Sequence, residues 1–109
     1  MSVSLAASVI AAPAVAGECF TVHGQLLQSS GNPSYRIWKI GTKHMLGVVD
    51  CSGRDESDQA IPANVQAVAG KYVEKRVTGD FEVCPLSSKR PATMQRVCIR
   101  SATHLVVAP

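Results

Sequence analysis

The chain of 109 residues carries 11 Lys and Arg against 8 Asp and Glu, a formal net charge of +3, and 46% of its residues are hydrophobic. That length suits one domain with one modest core. So mild a basic balance lacks the dense cationic face common among nucleic-acid binders.

Residues 1–16, MSVSLAASVIAAPAVA, carry no charge and are rich in small and apolar side chains. Pro13 breaks the run, and Ala14-Val15-Ala16 follows in the small-x-small pattern that a signal peptidase accepts. The expectation is a signal peptide over residues 1–16, cleavage after Ala16, and a single domain over 17–109 that is periplasmic or secreted. No Lys or Arg precedes the apolar run, so a buried N-terminal helix or an uncleaved anchor is the alternative. The run is shorter than the ~20 residues that a spanning helix needs, and no stable membrane span is expected after cleavage. Glu18 before Cys19 argues against a lipoprotein acylation site.

From Cys19 to Gln28, Phe20, Val22, Gly24 and Leu26 alternate with Thr21, His23 and Gln25, which predicts a half-buried strand. Gly24 inside it suggests a bend or a close backbone approach. Ser29-Ser30-Gly31-Asn32-Pro33 ends that strand as a turn. Tyr35–Ile40 (YRIWKI) predicts a second strand, and Gly41-Thr42 a tight connection into a third over Lys43–Val49. Asp50–Gln59 (DCSGRDESDQ) is too polar to be anything but a loop. Pro62, the alanines that follow and Gly70 suit a helix of about two turns, held by packing of Ile61, Val65 and Val68.

From Tyr72 onwards Val73, Val77, Phe81 and Val83 keep one parity, which predicts one long strand or two strands meeting near Thr78-Gly79-Asp80. Leu86–Thr93 reads as an exposed connection. Met94–Val107 reads as the last strand, with Val97, Ile99, Leu105 and Val107 of one parity. Three strands, a short helix and two strands is the element order of the small five-stranded Greek-key barrel called the OB-fold. An open sheet or small sandwich is the alternative.

Cys19, Cys51, Cys84 and Cys98 are an even set in a short exported chain, which reads as two disulfides with three connectivities open. None lies in a CxxC or CxxxC spacing. His23, His44 and His104 are dispersed too, so no metal and no cofactor is expected. A hairpin centred on Pro91 places Val83 opposite Ile99, Glu82 opposite Arg100, and Cys84 opposite Cys98. Apolar, ionic and cysteine pairs agreeing on one register favour a Cys84–Cys98 disulfide, since a one-residue slip would turn every side chain over. Cys19–Cys51 then follows by elimination.

No nucleophile elbow, phosphate loop, zincin helix or SxxK motif is present, so no catalytic residue is assigned. Asp80 and Glu82 share a strand face, where solvation or a pair with Arg100 is their expected role. His23 falls on a polar strand face, His44 at an exposed strand end, and His104 beside an apolar run, as a satisfied buried histidine would. Tyr35, Arg36, Trp38, Lys39 and Lys43 interleave aromatic and basic residues, a pattern that binds polymers by stacking and charge. The competing expectation, and the favoured one, is that Trp38 anchors the barrel core.

At YRIWKIGT, GDFEVCPL and MQRVCIRSATHLVV the chain resembles a family of short, exported bacterial proteins of uncharacterised activity. The shared stretches fall on Arg36-Ile37-Trp38, Gly41-Thr42, Gly79-Asp80-Phe81, Val83-Cys84-Pro85-Leu86 and Val97-Cys98, and Cys51 lies apart from them. The resemblance implies export and a compact β domain, with no activity attached. The sequence thus leads to a monomeric, non-enzymatic, disulfide-stabilised binding domain acting on a cell-envelope ligand, envelope polymer or protein partner. The rivals are a small envelope hydrolase using His23, Asp80 or His104, and a cytosolic OB-type nucleic-acid binder with its N-terminus retained.

Overall fold

The structure, a computed structural model, describes residues 16–52, 60–87 and 93–108. Residues 1–15 of the expected signal peptide, and most of the stretches expected as a polar loop and as the last connection, lie outside them. The elements are β1 (Phe20–Gln28), β2 (Tyr35–Lys39), β3 (Met45–Val48), α1 (Ala63–Ala69), β4 (Val77–Pro85) and β5 (Gln95–Val107). The strands close into a barrel in the order β1-β2-β3-β5-β4, with β4 returning to pair with β1. All neighbours are antiparallel except β3 and β5, which run parallel across the closing seam. This is the five-stranded OB-type barrel expected from the element order, with its helix between the third and fourth strands.

Alternation along β1 buries Val22 and Leu26 and exposes Thr21 and His23. Phe81, Leu26, Ile37, Val48, Val65, Val77, Val83 and Val97 fill the interior, each worth about 1.5–3 kcal/mol against leaving it in water. Gly24 is the predicted close approach: a Cβ there would stand 2.5 Å from Ile37 Cγ2 and 2.7 Å from the Trp38 carbonyl oxygen. The helix caps one end of the core through Val65 and Ala69, and Asn64 Nδ2 donates to the Ala102 carbonyl at 2.8 Å. Val68, expected to help hold it, instead faces solvent at 42% exposure. A helix of only two turns offers a narrow buried stripe, which Val65 and Ala69 already fill, with Ile61 buried just before it.

The β4–β5 hairpin keeps the expected register only in part. Val83 opposes Ile99 and Cys84 opposes Cys98, but Glu82 opposes Ser101. Arg100 is the extra residue of a bulge, so the expected Glu82–Arg100 pair does not form. Ser101 Oγ donates to Glu82 Oε1 at 3.1 Å instead, and Arg100 Nη1 lies 3.7 Å from Cys19 Sγ. A second irregularity follows, where Thr78 opposes Val106 while Asp80 opposes Thr103. His104 is the inserted residue there, with φ 55°. Each bulge reverses the inward parity of β5, so Ile99, Ala102 and Leu105 all face the core.

The disulfides are Cys19–Cys84 and Cys51–Cys98, which corrects both expected pairings, Cys84–Cys98 and Cys19–Cys51. The reason is that β4 has neighbours on both edges. Phe20 opposes Val83 across β1 and β4, so continuing that ladder by one residue sets Cys19 beside Cys84. Past β3, Val49 N–H donates to the Val97 carbonyl at 3.0 Å, which carries Cys51 alongside Cys98. The observed bridges span 65 and 47 residues. By the chain-entropy model each contributes about 4 kcal/mol, more than the roughly 3 kcal/mol of a tight hairpin bridge.

Candidate functional site

Two groups of residues far apart in sequence come together on this frame. The first surrounds a cleft of about 840 Å³ at the barrel end where β1 begins, β2 ends and β5 starts. Its floor is apolar, built from Phe20, Met45, Leu46, Pro85 and Met94. Lys39, Lys43, His44 and Glu18 line it as well. Lys39 keeps the inward parity of Tyr35 and Ile37 but lies at the strand's last position, where the interior opens to solvent.

The segment carrying those cations is tightly built. Gly41 takes φ 86°, a conformation that costs glycine little. The Thr42 hydroxyl donates to the Lys39 carbonyl at 2.8 Å and accepts from the His44 N–H at 3.0 Å. Trp38 Nε1 donates to the Thr42 carbonyl at 2.8 Å. Neither the Lys39 nor the Lys43 ammonium has an ion-pair or hydrogen-bond partner among the described residues. In the uncleaved chain the Ala16 N–H donates to the Pro85 carbonyl at 2.8 Å, a bond that the expected cleavage after Ala16 would remove, leaving Gly17 and Glu18 at the rim.

The aromatic–basic set read from sequence as one face is therefore divided. Strand alternation sends Tyr35 into the core, at 5% exposure. Arg36 is half-buried and donates from Nε to the Pro33 carbonyl at 3.2 Å. Trp38 lies on the outer surface at 36% exposure, so it is not the expected core anchor; Phe81 holds that place. Only Lys39 and Lys43 reach the cleft. The floor residues have no local signature in the sequence, because they come from β1, β3, β4 and the residue just before β5, and no local spacing joins them.

The second group is His23, Asp80 and His104 on the outer face of β1, β4 and β5. His23 sits directly across from Asp80 in the ladder, and its Nδ1 is 2.9 Å from Oδ1. His104 reaches the other carboxylate oxygen, Nδ1 to Oδ2, at 3.0 Å. The bulge delivers it: in-line pairing would set Thr103, not His104, against Asp80. Gly79 leaves the room, since a Cβ there would meet Leu105 Cδ2 at 2.8 Å and the Thr103 carbonyl at 2.9 Å.

The His23 hydrogen bond chiefly holds the Asp80 carboxyl below its ordinary range; desolvation opposes it and the bond from His104 adds to it. An ionised carboxylate only accepts, so each Nδ1 donates a proton to Asp80 and each Nε2 is turned away from it. These three residues are within hydrogen-bond reach, as a hydrolytic dyad requires, but none lines the cleft. Both imidazoles are largely exposed, at 63% and 80%, which corrects the expectation of a buried His104. No other side chain bonds to either ring among the described residues. Among them, too, no cluster of three or more His, Cys, Asp or Glu is arranged to hold a metal ion, and no helix is long and apolar enough to cross a membrane. Compared with family models, with curated proteins and with solved structures, the chain matches none.

Proposed function

We propose that this protein is a small, non-enzymatic binding domain of an oxidising compartment, periplasmic or secreted, whose ligand site is the cleft at the barrel mouth. One observation carries the reading: two lysines without partners stand over an apolar floor in a concavity of ligand size, within the ~300–1,000 Å³ of small-molecule sites. Two disulfides support the compartment, since reducing cytosol does not maintain structural bridges of this kind. The leader and the resemblance to short exported proteins point the same way. The test is recovery of the protein from fractions of its native host, with thiol alkylation and intact mass. The reading expects the envelope or medium fraction, cleavage after Ala16 and no alkylatable thiol. A full-length cytoplasmic chain with four reactive thiols overturns it.

The second reading, a small hydrolase, is favoured by the two imidazoles sharing Asp80. Each leaves its Nε2 free of Asp80, as a general base needs, but neither lines the cleft at the barrel mouth, and among the described residues no hydroxyl or thiol bonds to either ring. Turnover of an activated ester that disappears in His23→Ala and His104→Ala would replace the binding reading with this one.

A further inference from the structure

Resting on the reading of the cleft as a ligand site, we infer that its ligand class is a single-chain anionic amphiphile, an alkyl or acyl chain ending in a carboxylate or phosphate. The charge of the rim selects the head group. Lys39 and Lys43 bring two ammonium groups without partners among the described residues to the mouth, against the single carboxylate of Glu18. An anionic head gains two charge-assisted contacts there, whereas a cationic head gains only Glu18 and is repelled by both lysines.

The floor selects the tail. Phe20, Leu46 and Pro85 are carbon surfaces, and Met45 and Met94 add two flexible thioethers that adapt to chains of differing shape. A peptide in the same place would bring backbone N–H and C=O groups needing partners. The β1–β2 ladder begins at Gly24 and Lys39, so only the short start of β1 before it is open to an added strand, too little to hold an extended segment by its backbone. A hydrocarbon has no such requirement, and Leu46 belongs to the buried core with Phe20 packed against it, so the apolar lining is continuous with the interior.

The experiment is calorimetric titration of the disulfide-intact protein with monomeric dodecanoate, dodecyl phosphate, dodecyltrimethylammonium and inorganic phosphate. Anionic vesicles form a fifth arm, and a proton–nitrogen spectrum at each end point confirms that the barrel stays folded. Dodecanoate and dodecyl phosphate are expected to bind at least about tenfold tighter than the cationic amphiphile, and inorganic phosphate not measurably. Lys39→Gln with Lys43→Gln is expected to remove that preference while uncharged dodecanol binds as before. Equal affinity for both head charges, or binding to vesicles alone, overturns the inference and leaves the binding reading standing. If no amphiphile binds and small apolar probes also leave the mouth untouched, both fall together.

Discussion

The barrel mouth and the outer His–Asp–His face each gather charged residues from distant parts of the chain, yet they are opposite solutions. On the outer face every charge is answered within the protein: one carboxylate takes two imidazoles, and all three remain open to water. At the mouth the Lys39 and Lys43 side chains are left unanswered beside an apolar floor. Grouping of polar residues does not by itself make a site. Enclosure and unmet bonding capacity do, because those are what a ligand can supply.

The disulfides offer the largest way to break this comparison. Cys19–Cys84 joins the start of β1 to the end of β4, next to Phe20 and Pro85 of the mouth, whereas the His–Asp–His group lies several residues along both strands. Replacing both cysteines by alanine is expected to cost about 4 kcal/mol of stability in denaturant titration. Hydrogen exchange should rise at Phe20 and Pro85's neighbours before it rises around Asp80. Uniform loosening would show that the mouth is not separately clamped.

Gly24→Ala comes next. Its Cβ would press on Ile37 and on the Trp38 carbonyl, on the strand that leads to Lys39. A loss of about 1–3 kcal/mol is expected from overpacking, read as a lower unfolding midpoint. His104→Gly should act in the other direction on the outer face. The φ of 55° disfavours any residue with a Cβ, so glycine is expected to leave stability unchanged or raise it by up to about 1 kcal/mol, despite losing a bond to Asp80. A clear destabilisation would mean that the exposed triad holds the fold.

The smallest effect is electrostatic. Asp80 has a lowered pKa in the folded protein, with an ordinary value of 3.8. Its contribution is therefore present above that value and is lost as pH falls through the lower folded one. Asp80→Asn should be less stable than the parent near neutrality, and the gap should close in strong acid. A gap that persists undiminished in strong acid would contradict the hydrogen bonds assigned to His23 and His104.

Most of the fold was legible because periodicity and turn chemistry are local. Alternation found β1, Gly24 announced the close approach, and Pro62 with Gly70 bracketed the helix. The two β5 bulges left no such trace, because the second cancels the first. Val97, Ile99, Leu105 and Val107 share one parity in the sequence and one face in the barrel, with Ala102 hidden between them. The disulfides failed for a related reason: the hairpin register correctly set Cys84 against Cys98, but a strand in a closed barrel has two neighbours, and the second one held Cys19. At the site, Lys39 and Lys43 were visible as basic residues. The floor was not, since Phe20, Leu46 and Met94 meet only once the barrel closes.

The most direct measurement is a proton–nitrogen titration of the folded, oxidised protein with hexanoate, following every backbone amide. The account expects saturable shifts confined to Phe20, Lys39, Lys43–Leu46 and Met94, with the amides of His23, Asp80 and His104 unmoved. Shifts centred on those three residues, with the mouth silent, would contradict it.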